Sequence, residues 1–153
     1  MSIAAIASDG SGRGGESNYT GGRTQEELDD LARDPSRGNS RSYDIEQGIA
    51  EREAGLGVEQ RGDVQSIRRD PTGVAEFIDA TGQKWDVKAF RSTSPTTGQN
   101  VFNLNRALSN IRKEISRGNN IILDTRHLNP VHLAELLNEV ERLGWLERVI
   151  VWP

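Results

Sequence analysis

The sequence predicts an α/β chain of the α+β kind, with a mixed central β-sheet flanked by helices. Three observations carry this. Segments of helical period and short β-branched runs follow one another in the order α, α, β-β-β, α, β, α, β. The turn-rich Ala80-Thr81-Gly82-Gln83 separates two strand-like runs and makes them a hairpin. The last three elements form a β-α-β unit, which asks for parallel strands joined by a crossover.

Each element has its own warrant. Residues 1–23 are rich in Gly and Ser, and the run from Gly10 to Gly15 reads as flexible linker. Thr24 and Glu27 have capping-box spacing, so a short helix over about 25–33 follows, ending before Asp34-Pro35. Residues 1–40 are therefore expected to be an arm carrying one short helix, and 41–153 the functional domain. A second helix is predicted over 43–57, with Ile45, Ile49 and Leu56 on one stripe. Val64 and Ile67 mark a strand over 62–69, which the Asp70-Pro71-Thr72-Gly73 turn closes. Strands over 74–79 (VAEFID) and 84–90 (KWDVKAF) make the hairpin. Leu104, Leu108, Ile111 and Ile115 define an amphipathic helix over 103–117, stopped by Gly118. Asn119 to Asp124 (NNIILD) reads as a strand buried on both faces. Pro130 and Gly144 bracket a helix over 130–143, and Arg148 to Trp152 is the last strand.

Composition narrows the function classes. The formal net charge of -4 argues against a protein that coats DNA through a basic face. Hydrophobic residues make up only 34 %, and the deficit lies in residues 1–42, which supports treating that part as an arm. The chain has no cysteine, so disulfides, thiolate zinc and cysteine nucleophiles are excluded. No apolar run is long enough to span a membrane, and the first residues lack the basic and apolar regions of a secretory signal.

The chemistry-bearing pattern lies on the hairpin. Alternation puts Asp86 and Lys88 on one face of their strand, with Trp85 and Val87 on the other. If the turn is centred on Gly82, residues of equal parity face each other, and Glu76 joins Asp86 and Lys88. A slip of one residue would bring Asp79 there instead, although Asp79 is well placed to start the turn. Two carboxylates beside a lysine suit a divalent cation and phosphoryl chemistry: hard oxygens hold Mg²⁺, and the lysine positions water or stabilises developing charge. The same three residues also describe a plain surface ion-pair cluster.

The pattern Glu76, then nine residues, then Asp86-Val87-Lys88 resembles the PD-(D/E)xK nuclease superfamily. Glu76 stands where that superfamily more often has Asp. The surrounding Arg69-Asp70-Pro71, Ala75-Glu76-Phe77-Ile78-Asp79 and Trp85-Asp86-Val87-Lys88-Ala89-Phe90 resemble the C-terminal toxin domains of bacterial polymorphic and contact-dependent growth inhibition effectors. The segment from Asn119 to Pro153 has the same look, so the resemblance covers about residues 40–153. It implies a restriction-endonuclease-like fold and a metal-dependent endonuclease toxin, with tRNA slightly favoured over DNA as substrate. It also implies a cognate immunity protein as partner, delivery on a larger secreted or cell-surface effector, and action in the target-cell cytoplasm. The cofactor implied is Mg²⁺, with Mn²⁺ or Zn²⁺ as alternatives, and Glu76 and Asp86 are its ligands.

The resemblance also implies a third acid on the helix before the sheet, facing the metal. Glu53 borders the stripe of Ile45, Ile49 and Leu56, and Glu59 competes if the helix runs past Gly57; a solvated helix face is the plain alternative for both. Arg106 and Lys113, on the helix after the hairpin, are candidates for phosphate contact. Trp85, which alternation turns away from the carboxylates, reads as core and not as a base-stacking platform, and Trp145 and Trp152 read as core or interface residues. Asp124 reads as a turn cap at the end of a buried strand, and His127 as a candidate general base. Two rival readings stay open: a metal-independent ribonuclease using His127, Arg126 and Lys88, and a non-catalytic interaction domain with an acidic surface.

Overall fold

Thr24 opens the first helix, α1 (Gln25–Leu31), through the capping box that its spacing predicts. The Glu27 amide donates to Thr24 Oγ1 at 3.2 Å, and the Thr24 amide donates to Glu27 Oε1 at 3.0 Å. The computed structural model describes residues 18–38 and 40–153. The glycine-rich run 10–15 lies outside the described residues.

Helix α2 (Ser42–Gln60) runs past its predicted end at Gly57 and buries a different face. Ile45 and Ile49 are exposed, whereas Gly48, Glu51, Ala54, Gly55 and Val58 are buried. The reason is close approach. A Cβ on Gly55 would lie 2.7 Å from both Ile67 Cδ1 and Phe77 Cε2, and one on Gly48 would strike the Ala32 carbonyl. The helix packs through its small residues, which leaves no room there for the large aliphatics that define the stripe in sequence.

The sheet holds five strands in spatial order β1 (Arg68–Arg69), β2 (Phe77–Ile78), β3 (Lys84–Lys88), β4 (Asn120–Asp124) and β5 (Val149–Trp152). The first three pair antiparallel, and β3, β4 and β5 pair parallel. Mixed topology is thus as expected, with α3 (Leu104–Ser116) and α4 (Pro130–Arg142) as the connections of the parallel strands. The strand predicted over 62–69 is reduced to two residues. Val64 and Ile67 are buried without pairing in the sheet, because they plug the space under α2.

Two apolar layers hold the sheet. One contains Ala54, Val58, Val64, Ile67, Phe77, Trp85, Val87 and Ile122, under α2. The other contains Ile121, Leu123, Val149 and Val151 with residues of α3 and α4. Strand β4 thus gives Ile122 to one layer and Ile121 and Leu123 to the other, buried on both faces as its apolar run predicts. The segment expected as an arm touches the first layer at two places. Leu31 is buried in that core, and Arg23 forms an ion pair with Glu59 at 2.7 Å. Among the described residues, no helix is long and apolar enough to cross a membrane.

Candidate active site

The hairpin register decides which acids meet. Phe77 pairs with Trp85 and Ile78 with Lys84, so Glu76 falls opposite Asp86. Asp79 is excluded by its own turn. Its carboxylate accepts hydrogen bonds from the Thr81 amide at 2.8 Å, the Gln83 amide at 3.1 Å and Trp85 Nε1 at 2.9 Å. Trp85 is therefore a core residue, as alternation predicts. Strand β2 is too short to pair with Val87, and Glu76 takes over that task. The Val87 amide donates to Glu76 Oε2 at 2.9 Å. The side chain thus sits on the edge of β3, between the two faces of the sheet.

On one side of this edge lie Asp86 and Lys88. Asp86 is buried, and its Oδ2 faces the Lys88 ammonium at 2.9 Å. Lys88 also reaches Glu114 of α3 at 3.6 Å, and Glu114 accepts from Asn119 Nδ2 at 3.1 Å. On the other side lie Glu51 of α2 and Asp34. Carboxylate oxygens of Asp34, Glu51 and Glu76 lie within 4.8 Å of one another, a group that could hold a metal ion.

The electrostatics divide these acids. Glu51 is paired with Arg37 and Arg69, each at 2.9 Å, and Arg37 also reaches Asp34 at 3.2 Å. Burial raises the Asp34 carboxyl, but the Ser36 hydrogen bonds and the Arg37 charge outweigh it and hold the group below its ordinary value. Among the described residues Glu76 forms no ion pair. Burial, followed by the Asp86 carboxylate and the charge of Glu51, pushes it up to about 9. Burial raises Asp86 as well, against its hydrogen bond with Glu76 and the charge of Lys88. Both carboxyls of the pair are thus pushed toward the protonated form. For Lys88, burial is outweighed by Asp86 and Glu114, so its ammonium is held more firmly than usual. Five carboxyls gather around three enclosed cations, Arg37, Arg69 and Lys88. The carboxyls outnumber the cations, so the centre attracts a proton or another cation, and the two acids that burial raises, Glu76 and Asp86, are where it would go.

The acid of α2 that lies beside Glu76 is Glu51, whereas Glu53 and Glu59 are held away from it. Glu53 binds Arg126 at 2.8 Å, and Arg126 is also held by Asp124 at 2.8 Å and lies over the Trp152 ring. Glu59 accepts from Arg23, from Tyr19 at 2.9 Å and from the Ile67 amide at 2.8 Å, which ties the N-terminal segment to the sheet. Both are anchors, because the helix turns its small-residue face, not its isoleucines, to the sheet. Glu51 could have been found as the acid in register with Gly48, Ala54, Gly55 and Val58. Glu114 stands three residues after Ile111 of the amphipathic stripe. Asp34 sits in a loop and carries no such signal.

A cleft of about 420 Å³ opens beside the centre, lined by Glu51, Glu76, Lys88, Tyr43, Arg91 and His127 among others. Burial, then the nearby Arg91 charge, lowers the His127 pKa and favours neutral imidazole. Asp124 caps its turn by accepting from the Arg126 amide at 3.1 Å. Arg106 lines a second, adjoining cleft, whereas Lys113 is exposed on α3 and lines neither. In comparisons with family models, curated proteins and solved structures, nothing matches this chain.

Proposed function

We propose that the chain is a metal-dependent endonuclease, and that its centre is Glu76, Asp86 and Lys88 on the hairpin with Glu51 on α2. The observation that carries this reading is the Glu76–Asp86 pair: two carboxyls opposite each other in the hairpin, with the Lys88 ammonium 2.9 Å from Asp86, and with Glu76 and Lys88 lining an open cleft. Glu76 and Asp86 would hold the cation, with Glu51 in the third place and Mg²⁺ as the ion their hard oxygens suit best. Such an ion supplies Lewis-acid polarisation of a phosphoryl oxygen. The protein's own groups do the rest. The Lys88 ammonium, fixed between Asp86 and Glu114, orients the attacking water and stabilises charge developing on the phosphate. Arg37 and Arg69 hold the Glu51 carboxylate in place. The resemblance to effector toxin domains supports a toxin role, a cognate immunity protein as partner and tRNA before DNA as substrate, with the chain acting in a target cell.

The test is cleavage of total tRNA and of plasmid DNA, with Mg²⁺ or with EDTA, by wild type and Asp86→Ala. Cleavage that requires both the metal and Asp86 is expected, and the substrate that disappears names the class. A second reading has one observation in its favour, since neutral His127 lines the same cleft. Cleavage that persists in EDTA and in Asp86→Ala, and is lost in His127→Ala, would replace the first reading with a metal-independent ribonuclease.

A further inference from the structure

We propose that the two adjoining clefts form one track for single-stranded nucleic acid, with a base stacked on Tyr43 and the backbone held by Arg91 and Arg106. The proposal rests on the reading of the acidic centre as a phosphodiester-cleaving site. The second cleft, of about 310 Å³, shares Tyr43, Ala89, Phe90 and Arg91 with the first, so the two are continuous. Their linings differ in kind. The first contains Glu46, Glu51, Glu76 and Asp124; the second contains Arg91 and Arg106 with Tyr43, Phe90 and Phe102, and no carboxylate. In a chain of net charge -4, a lining of that composition is selective.

Neither Arg91 nor Arg106 forms an ion pair among the described residues, in contrast to Arg23, Arg37, Arg69 and Arg126. Unpaired guanidiniums on a groove wall suit phosphate oxygens. Tyr43 is 72 % exposed at the junction of the two clefts. A large exposed aromatic ring between a cationic groove and a reactive centre is the arrangement that binds unpaired bases by stacking. Duplex bases have their ring faces covered by their neighbours, and they would have to be extruded before Tyr43 could meet one. Charge complementarity and continuity with the acidic centre thus select a single strand over a duplex or an acidic protein surface.

The experiment is fluorescence anisotropy of labelled oligo(rU), oligo(dT) and a blunt hairpin duplex, in EDTA and over a range of salt. Wild type is expected to bind the single strands at least about 10-fold more tightly than the duplex. Tyr43→Ala is expected to weaken strand binding about 5-fold or more, and Tyr43→Phe to retain it. Arg91→Ala with Arg106→Ala should lower the salt slope by about 0.7 for each phosphate that is no longer neutralised. Preference for oligo(rU) or for oligo(dT) assigns the strand to RNA or to DNA. Duplex bound as tightly as single strand, or unchanged affinity in Tyr43→Ala, overturns the proposal. EDTA separates binding from chemistry. Strand binding without Mg²⁺-dependent cleavage sinks the nuclease reading alone, and metal-dependent cleavage with Tyr43-independent binding sinks the track alone.

Discussion

Glu76 shows how a single residue is placed by what its strand leaves unfinished. Because β2 begins only at Phe77, the Val87 amide takes the Glu76 carboxylate in place of a backbone carbonyl, and this brings the acid against Asp86. Enclosed like charges destabilise the protein until a proton or cation intervenes. Glu76→Gln is therefore expected to raise the melting temperature of metal-free protein by a few degrees, at about 2–4 °C per kcal/mol for a chain of this size. Mn²⁺ at about 100 times its Kd should stabilise wild type by about 2.7 kcal/mol, and should do much less for Glu76→Gln and Asp86→Asn. Differential scanning calorimetry reads both effects, and a Mn²⁺-induced rise that survives both substitutions would place the cation elsewhere. Glu51 behaves in the opposite way. It neutralises Arg69 and shares Arg37 with Asp34, so Glu51→Ala leaves the buried Arg69 guanidinium without its ion-pair partner and should cost about 3–5 kcal/mol in urea unfolding. A loss below about 1 kcal/mol would show that the two arginines find other partners.

At the scale of elements, α2 is the decisive one. Its isoleucines are exposed and its glycines face the sheet, so two substitutions separate the stripe read from large side chains from the face that is buried. Ile45→Ala should change stability by less than about 0.5 kcal/mol, as at other surface positions, where a core position would lose about 2–5 kcal/mol. Gly55→Ala, which by helix propensity alone would gain about 1 kcal/mol, should instead lose about 1–3 kcal/mol against Ile67 and Phe77. Denaturant unfolding of both variants checks the assignment. Other elements were legible because their signals are local. The capping box of α1, the amphipathic stripe of α3 and the apolar run of β4 all form where their spacing says. The strand expected over 62–69 was not, since Val64 and Ile67 are buried by a helix overhead and not by strand pairing.

At the scale of the whole molecule, buried carboxylates fasten the turns and the N-terminal segment, and this fixes the acid response. Burial raises Asp70, but the Lys84 and Thr72 hydrogen bonds and the Ala75 amide outweigh it and hold the group at about 2. Asp79 and Glu59 are likewise held below their ordinary values, by hydrogen bonds in the β2–β3 turn and by Arg23 with the Ile67 amide, each against its burial. A carboxyl with a lowered folded pKa contributes stability that is present above its unfolded value and is lost as pH falls toward the folded one. Stability should therefore fall between about pH 4 and pH 2, and Asp70→Asn should be less stable at neutral pH and flatter across that window. Urea unfolding at several pH values tests this, and an acid limb as steep in Asp70→Asn as in wild type would remove Asp70 from the account.

The sequence by itself determined the order of elements, the hairpin and the alternation that puts Asp86 and Lys88 on one face, while the choice of Glu76 over Asp79 beside them waited for the register. Those depend on period, turn chemistry and alternation, which are local properties of the chain. Only the tertiary structure decided that Glu51 and not Glu53 or Glu59 lies beside Glu76, that Asp34 and Glu114 join the cluster, and that Leu31 and Arg23 tie the N-terminal segment to the core. Which face a helix buries depends on how closely its neighbours approach. Here the backbone at the end of α1 and the side chains of the sheet come so near that glycine and alanine win the contact from isoleucine.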